Sequence, residues 1–142
     1  MAFKTRLDAV VKIRDRAEES AKLALARSIQ KVLEAERALK AAREQAMVID
    51  QGAGTAADWE IRQKARDRAL AQIRHAEEAV RAALTAQKAA RDAFENAHRK
   101  AEGVRRVAEA KREEMMREAD RKERREFDEI AAQRHARKGE LD

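Results

Sequence analysis

Asp50-Gln51-Gly52-Ala53-Gly54-Thr55-Ala56-Ala57-Asp58 is the one stretch where a continuous helical pattern breaks and can restart. Two of the chain's four glycines stand in it. Gly52 is placed to end a helix in the left-handed conformation, which carries no Cβ penalty at glycine. Thr55, with Asp58 three residues later, has the spacing of a capping box, in which hydroxyl and carboxylate each satisfy a backbone N–H that the first helical turn leaves free. The expected fold is therefore all-α: a long antiparallel two-helix coiled coil over residues 1–142 as a single unit. Its helices cover 4–51 and 58–138, a turn covers 52–57, and the C-terminal helix extends past its partner.

Composition supports helix over both a globular core and disorder. Of 142 residues, 42% are charged and 3% aromatic, and proline is absent. So polar a chain can fail to bury enough apolar surface to offset its ordering entropy. Here, however, the polar residues are mostly Glu, Lys and Arg, which with Ala and Leu are the strongest helix formers. Burial has to come from a thin seam repeated over many turns. The net charge of +6 spreads over 33 basic and 27 acidic side chains, the mixture of a solvated helix surface laced with i,i+4 pairs. With no cysteine there is no disulfide framework, and no window offers the roughly 20 apolar residues of a membrane span. A cytoplasmic protein of a reducing compartment is expected.

Along the first helix Phe3, Leu7 and Val10 or Val11 open the apolar pattern, with Thr5 and Asp8 as a second capping box. Ala17, Ala21 and Ala24 continue it, and Leu25, Ile29, Val32, Glu36 and Leu39 resume it after one register shift. The second helix reads Leu70, Ile73, Glu77, Val80, Leu84, Gln87, Arg91, Phe94, His98 and Ala101 at 4,3 spacing, flanked by Ala69, Ala76, Ala83, Ala90 and Ala97. Folding about residues 53 and 54 sets Ile73 opposite Leu33, Val80 opposite Arg27, Phe94 near Ile13 and Val104 near Phe3. At 1.5 Å per residue the helices would measure about 70 and 120 Å, leaving roughly 30 C-terminal residues without a partner. In that overhang Glu113 with Arg117, Glu118 with Lys122 and Asp120 with Arg124 stand at i,i+4, each pair worth about 0.2–0.5 kcal/mol. The helix is expected to end near Gly139 behind Arg134, His135, Arg137 and Lys138, cations suited to the negative end of its dipole.

No catalytic, cofactor or metal site is expected. Glu95 and His98 have the Glu-x-x-His spacing of di-iron bundles, but such sites need a second pair and two further carboxylates. Gly52-Ala53-Gly54-Thr55 lacks the lysine of a phosphate loop. Nucleic acid is not an expected partner. Acids interleave Arg105-Arg106, Arg121-Lys122 and Arg124-Arg125, and no aromatic side chains are spaced among them for stacking. Trp59, the sole tryptophan, is either a clamp on the turn against Ile49 and Ile61 or an anchor for a partner. Phe127 and Ile130 share one face of the overhang, where the first helix cannot cover them; a partner protein is the favoured reading. Gly103 in the helix interior either admits Phe3 or loosens the helix.

Three segments carry a resemblance. The opening Phe3-Lys4-Thr5-Arg6-Leu7-Asp8-Ala9-Val10-Val11-Lys12-Ile13-Arg14, the turn followed by Trp59, and the closing Glu126-Phe127-Asp128-Glu129-Ile130-Ala131-Ala132-Gln133-Arg134 look like the FliJ family. That family is a stalk-like component of the bacterial flagellar protein-export apparatus, similar in build to the central stalk of rotary ATPases. The resemblance implies three partners: the hexameric export ATPase, the cytoplasmic domain of the membrane export gate, and export chaperones. It also implies peripheral association with the inner membrane. Phe3, Leu7, Phe127, Ile130 and Arg134 become candidates for the ATPase ring, and Leu39, Arg43, Ile49 and Trp59 for the gate. The alternatives are a virulence-type secretion counterpart, a generic coiled-coil adaptor and, last, a nucleic-acid binder.

Overall fold

The structure, a computed structural model, describes residues 4–49 and 54–141, with Leu141 described in its backbone alone. Phe3 and Gly52, whose roles the sequence suggests, lie outside the described residues. Helix α1 spans Leu7–Ile49 (43 residues) and α2 spans Ala56–Leu141 (86 residues); the fold is an all-α hairpin, with no strand among the described residues.

Helix α2 opens on a full capping box and α1 on half of one, the Asp8 N–H donating to the Thr5 carbonyl at 3.1 Å rather than to its hydroxyl. The Thr5 N–H donates to Asp8 Oδ2 at 2.9 Å, and the Thr55 N–H donates to Asp58 Oδ2 at 3.0 Å. At α2 alone the bond is returned, the Asp58 N–H donating to Thr55 Oγ1 at 3.4 Å. Because Thr55 is itself the cap, α2 starts at Ala56 rather than 58. At the other end Gly139 does not stop the helix. A single glycine costs only about 1 kcal/mol in helix, and α2 continues to Leu141.

Contacts divide the chain into two units, each made from both helices: residues 17–98, and residues 1–16 with 99–142. In the first, α1 turns Leu25, Ser28, Val32, Ala35, Leu39, Ala42 and Ala46 inward, and α2 turns in Ala69, Ile73, Ala76, Val80, Ala83, Gln87, Ala90, Phe94 and Ala97. The alanines expected to flank the seam are the seam. Ala69 is 4% exposed, whereas Leu70, Leu84, Arg91 and His98 stand outside it. On α1, Ser28 and Ala35 likewise replace the expected Ile29 and Glu36. Small side chains let two helix axes come close, and the larger neighbours are then pushed to the rim. Ser28 meets its burial by donating its hydroxyl to the Leu25 carbonyl at 2.6 Å. The 4,3 spacing of inward residues runs along α1 from Leu7 to Ile49, so the expected register shift is absent.

Helix pairing also differs from the expected folding point. Folding about 53 and 54 would set Glu18 opposite 88 or 89 and Arg43 opposite 63 or 64. Glu18 Oε1 instead lies 3.2 Å from His98 Nδ1, and Arg43 lies 3.8 Å from Glu77. The offset of about ten residues, or roughly 15 Å of helix, leaves the first turns of α2 exposed beyond the end of α1.

In the second unit Leu7, Val11 and Arg14 face Ala101, Val104 and Ala108, and Ala101 is 0% exposed. Arg105 donates from Nε and Nη2 to Asp15 Oδ1 at 2.9 and 2.7 Å, and Arg112 Nη2 donates to Asp8 Oδ1 at 2.5 Å. A Cβ on Gly103 would meet nothing within 4 Å, so this glycine makes room for no described atom.

Candidate partner-binding surfaces

The recesses formed by the described residues at Trp59 and at Phe127 are open and lie on helix faces. Among the described residues no group of three His, Cys, Asp or Glu side chains could hold a metal ion. The Glu-x-x-His pair resolves differently: His98 stacks on Phe94 with ring centroids 6.0 Å apart and meets Glu18 across the seam.

The C-terminal part of α2 carries the first surface. Met115 is the last half-buried residue, and every residue from Met116 to Glu140 is exposed. Helix there is sustained by intrinsic propensity and by pairs such as Glu113 with Arg117 at 3.7 Å. Phe127, Ile130, Ala131, Arg134, His135 and Lys138 line one shallow recess, an apolar start running into a basic end. Phe127 is 65% exposed. Leu7 is not part of this surface. It is half-buried in the first turn of α1, beside Asp8, whose partner Arg112 stands 15 residues before Phe127 on α2, or about 22 Å.

The second surface lies at the start of α2. Ile49, Trp59, Arg62, Gln63 and Arg66 line a recess, and Trp59 stays 62% exposed beside a similarly exposed Ile61. The tryptophan therefore shares a recess with Ile49 at the end of α1 without being covered by it. Leu39 is turned into the seam, while Arg43 is occupied by Glu77. Of the four residues expected at the gate contact, Ile49 and Trp59 are brought together, and Leu39 is withdrawn.

A third surface is built from residues that sequence periodicity assigns to the interior. Ile29 and Leu33 of α1 and Leu84 of α2 are exposed large apolar side chains in the middle of the 17–98 unit. Period-seven alanine at 69, 76, 83, 90 and 97 is the signal in the sequence that Leu84 belongs outside.

Against known families, the one described as Flagellar FliJ protein matches residues 3–140. The chain belongs to the FliJ family. No curated protein and no solved structure matches it. FliJ membership makes this a flagellar export-related protein, in agreement with the resemblance of its two ends and its turn. No helix among the described residues of this FliJ chain is long and apolar enough to cross a membrane.

Proposed function

We propose that this chain works as a stalk in the flagellar export machinery, docking its exposed C-terminal helix into the ring of the hexameric export ATPase and presenting its Trp59 end to the cytoplasmic domain of the export gate. The observation that carries this reading is the uncovered face of Phe127, Ile130 and Arg134 on a helix that α1 does not reach. An apolar pair followed by cations, on a helix that stands in water without a partner, suits insertion among protein subunits better than solvation. Phe3 and Leu7, near the other terminus, are further candidates for contact with the ring. Ile49 and Trp59 supply the aliphatic and aromatic anchor at the second contact, with Leu39 and Arg43 as further candidates for it. Through these two contacts the chain couples ring turnover to the gate, and it holds export chaperones between rounds. It does so in the cytoplasm, peripherally at the inner membrane, and performs no chemistry itself.

Pull-down with the flagellar export ATPase tests this. Wild-type chain should be retained and stimulate ATP hydrolysis. The double substitution Phe127→Ala, Ile130→Ala should lose both activities with helix content by circular dichroism unchanged, because both side chains are exposed. Undiminished stimulation by the double variant would remove the overhang as the ring contact.

A further inference from the structure

The C-terminal part of α2 carries a stripe of its own. Asp120, Glu123, Phe127, Ile130, Arg134 and Arg137 follow one another at alternating intervals of three and four, so they share one face of the helix. All six are exposed. The stripe is one residue out of step with Ala101, Val104, Ala108 and Met115, the covered positions of α2 in this unit, and so does not continue the seam against α1. Along it the order is acid, acid, apolar, apolar, base, base. Glu123 shares a recess with Phe127 and Ile130 on one side, and Arg134 shares one with the same pair on the other.

Earlier in this segment a charge is answered within the helix, as Glu113 is by Arg117. The stripe is built differently. Three and four residues to either side of Glu123 stand Ala119, Asp120, Glu126 and Phe127, and the same steps from Arg134 reach Ile130, Ala131, Arg137 and Lys138. Each charge thus has like charges one turn away along α2 and no opposite one there, an arrangement that destabilises a lone helix. An occupant that relieves it brings bases to the first half of the stripe and acids to the second, around an apolar centre. The same segment turned end for end does this. Antiparallel pairing about the bond between Asp128 and Glu129 sets Phe127 against Ile130, Glu123 against Arg134 and Asp120 against Arg137. Beside the stripe Arg124 then falls opposite Ala131 and Glu126 opposite Gln133, while Arg117, opposite Lys138, is paired with Glu113.

We infer that the chain self-associates through segment 120–137, two copies packing their stripes antiparallel about a two-fold axis. Every contact is then made twice, and the interface closes with no surface left over to build a filament. The apolar centre supplies attraction, and the four ion pairs fix direction and register. Charges in so thin a seam add specificity more than strength, so the dimer forms as concentration rises and the dilute chain is a monomer. A consequence that rests on the reading of Phe127, Ile130 and Arg134 as ring contacts is that dimer and ring compete for one face.

Sedimentation velocity on the full chain in low and high salt tests the association without reference to the ATPase. A species of twice the 16.1 kDa chain mass is expected, rising with concentration and receding as salt screens the ion pairs. Glu123→Arg and Arg134→Glu should each weaken it by at least about tenfold with helix content intact, because each sets like charges face to face at two symmetric places. Both changes in one chain should restore the dimer, since Arg at 123 then meets Glu at 134. An equal mixture of the two single variants should restore it as well, between unlike copies. A strictly monomeric chain at low salt and high concentration would overturn the inference and leave the face to a different protein. A dimer indifferent to the single reversals, or one that neither the double variant nor the mixture recovers, would overturn it too.

Discussion

Ala69 and Leu70 are neighbours in sequence, and their measured contributions should run against their size. Ala69 is 4% exposed and Leu70 46% exposed. Ala69→Leu drives three extra carbons into a seam whose close approach depends on alanine, and overpacking of this kind costs about 1–3 kcal/mol. Leu70→Ala removes a side chain only about half withdrawn from water. Full burial of leucine is worth roughly 1.5–3 kcal/mol, so half amounts to about 1 kcal/mol, less a small gain because alanine is the better helix former. Urea unfolding followed by circular dichroism gives both values from the shift in midpoint at constant slope. Adding the leucine should therefore cost more than deleting one beside it. Should Leu70→Ala prove the costlier change, or Ala69→Leu be neutral, the leucines form the seam and the alanine register is wrong.

Gly103→Ala should stabilise the chain by about 1 kcal/mol, because the added methyl enters open space and helix propensity improves; a lowered unfolding midpoint would show that something does contact that position. The carboxyl of Asp8 is held below its ordinary 3.8 by the hydrogen bond from Arg112 and then by the Thr5 N–H. A depressed carboxylate stabilises the fold above the unfolded value, and the contribution is lost as pH falls through the lowered one. Asp8→Asn should therefore be less stable than wild type at neutral pH, with the gap closing as pH drops below 3.8; a gap that persists in strong acid would place the effect elsewhere. Trp59, as the sole tryptophan and 62% exposed, should change its emission when the gate's cytoplasmic domain is added. An unchanged spectrum at saturation would leave the second surface without that partner.

What was legible in the sequence was local. Both caps could be read because Thr5 with Asp8 and Thr55 with Asp58 make their bonds within one turn, whatever the rest of the chain does. Half of each seam was legible as well: Leu25, Val32 and Leu39, with Ile73, Val80 and Phe94, recur at sevens and turn inward. The alternate positions are displaced by one residue, to Glu36 from Ala35 and to Leu84 from Ala83, because apolar bulk is the ordinary mark of burial. Where only alanine or serine fits between two backbones, size marks the rim. Cross-helix register was not legible, since it depends on how the connection carries the chain from Ile49 to Ala56, and no periodicity within either helix records that. The exposed C-terminal face was visible because the unequal helix lengths follow from the position of the break. The middle face was not, because Ile29 and Leu84 have the size and spacing of interior residues.

Amide hydrogen exchange on the full chain, alone and with the flagellar export ATPase, bears most directly on the stalk reading. Without the ATPase, residues 117–140 should exchange fastest among the helical amides, having no neighbour to hold them closed. With it, new protection should appear around Phe127, Ile130 and Arg134 while the Trp59 end is unchanged. Protection arising at the Trp59 end or along the paired helices, with the C-terminal segment still exchanging freely, would contradict the role proposed for the overhang.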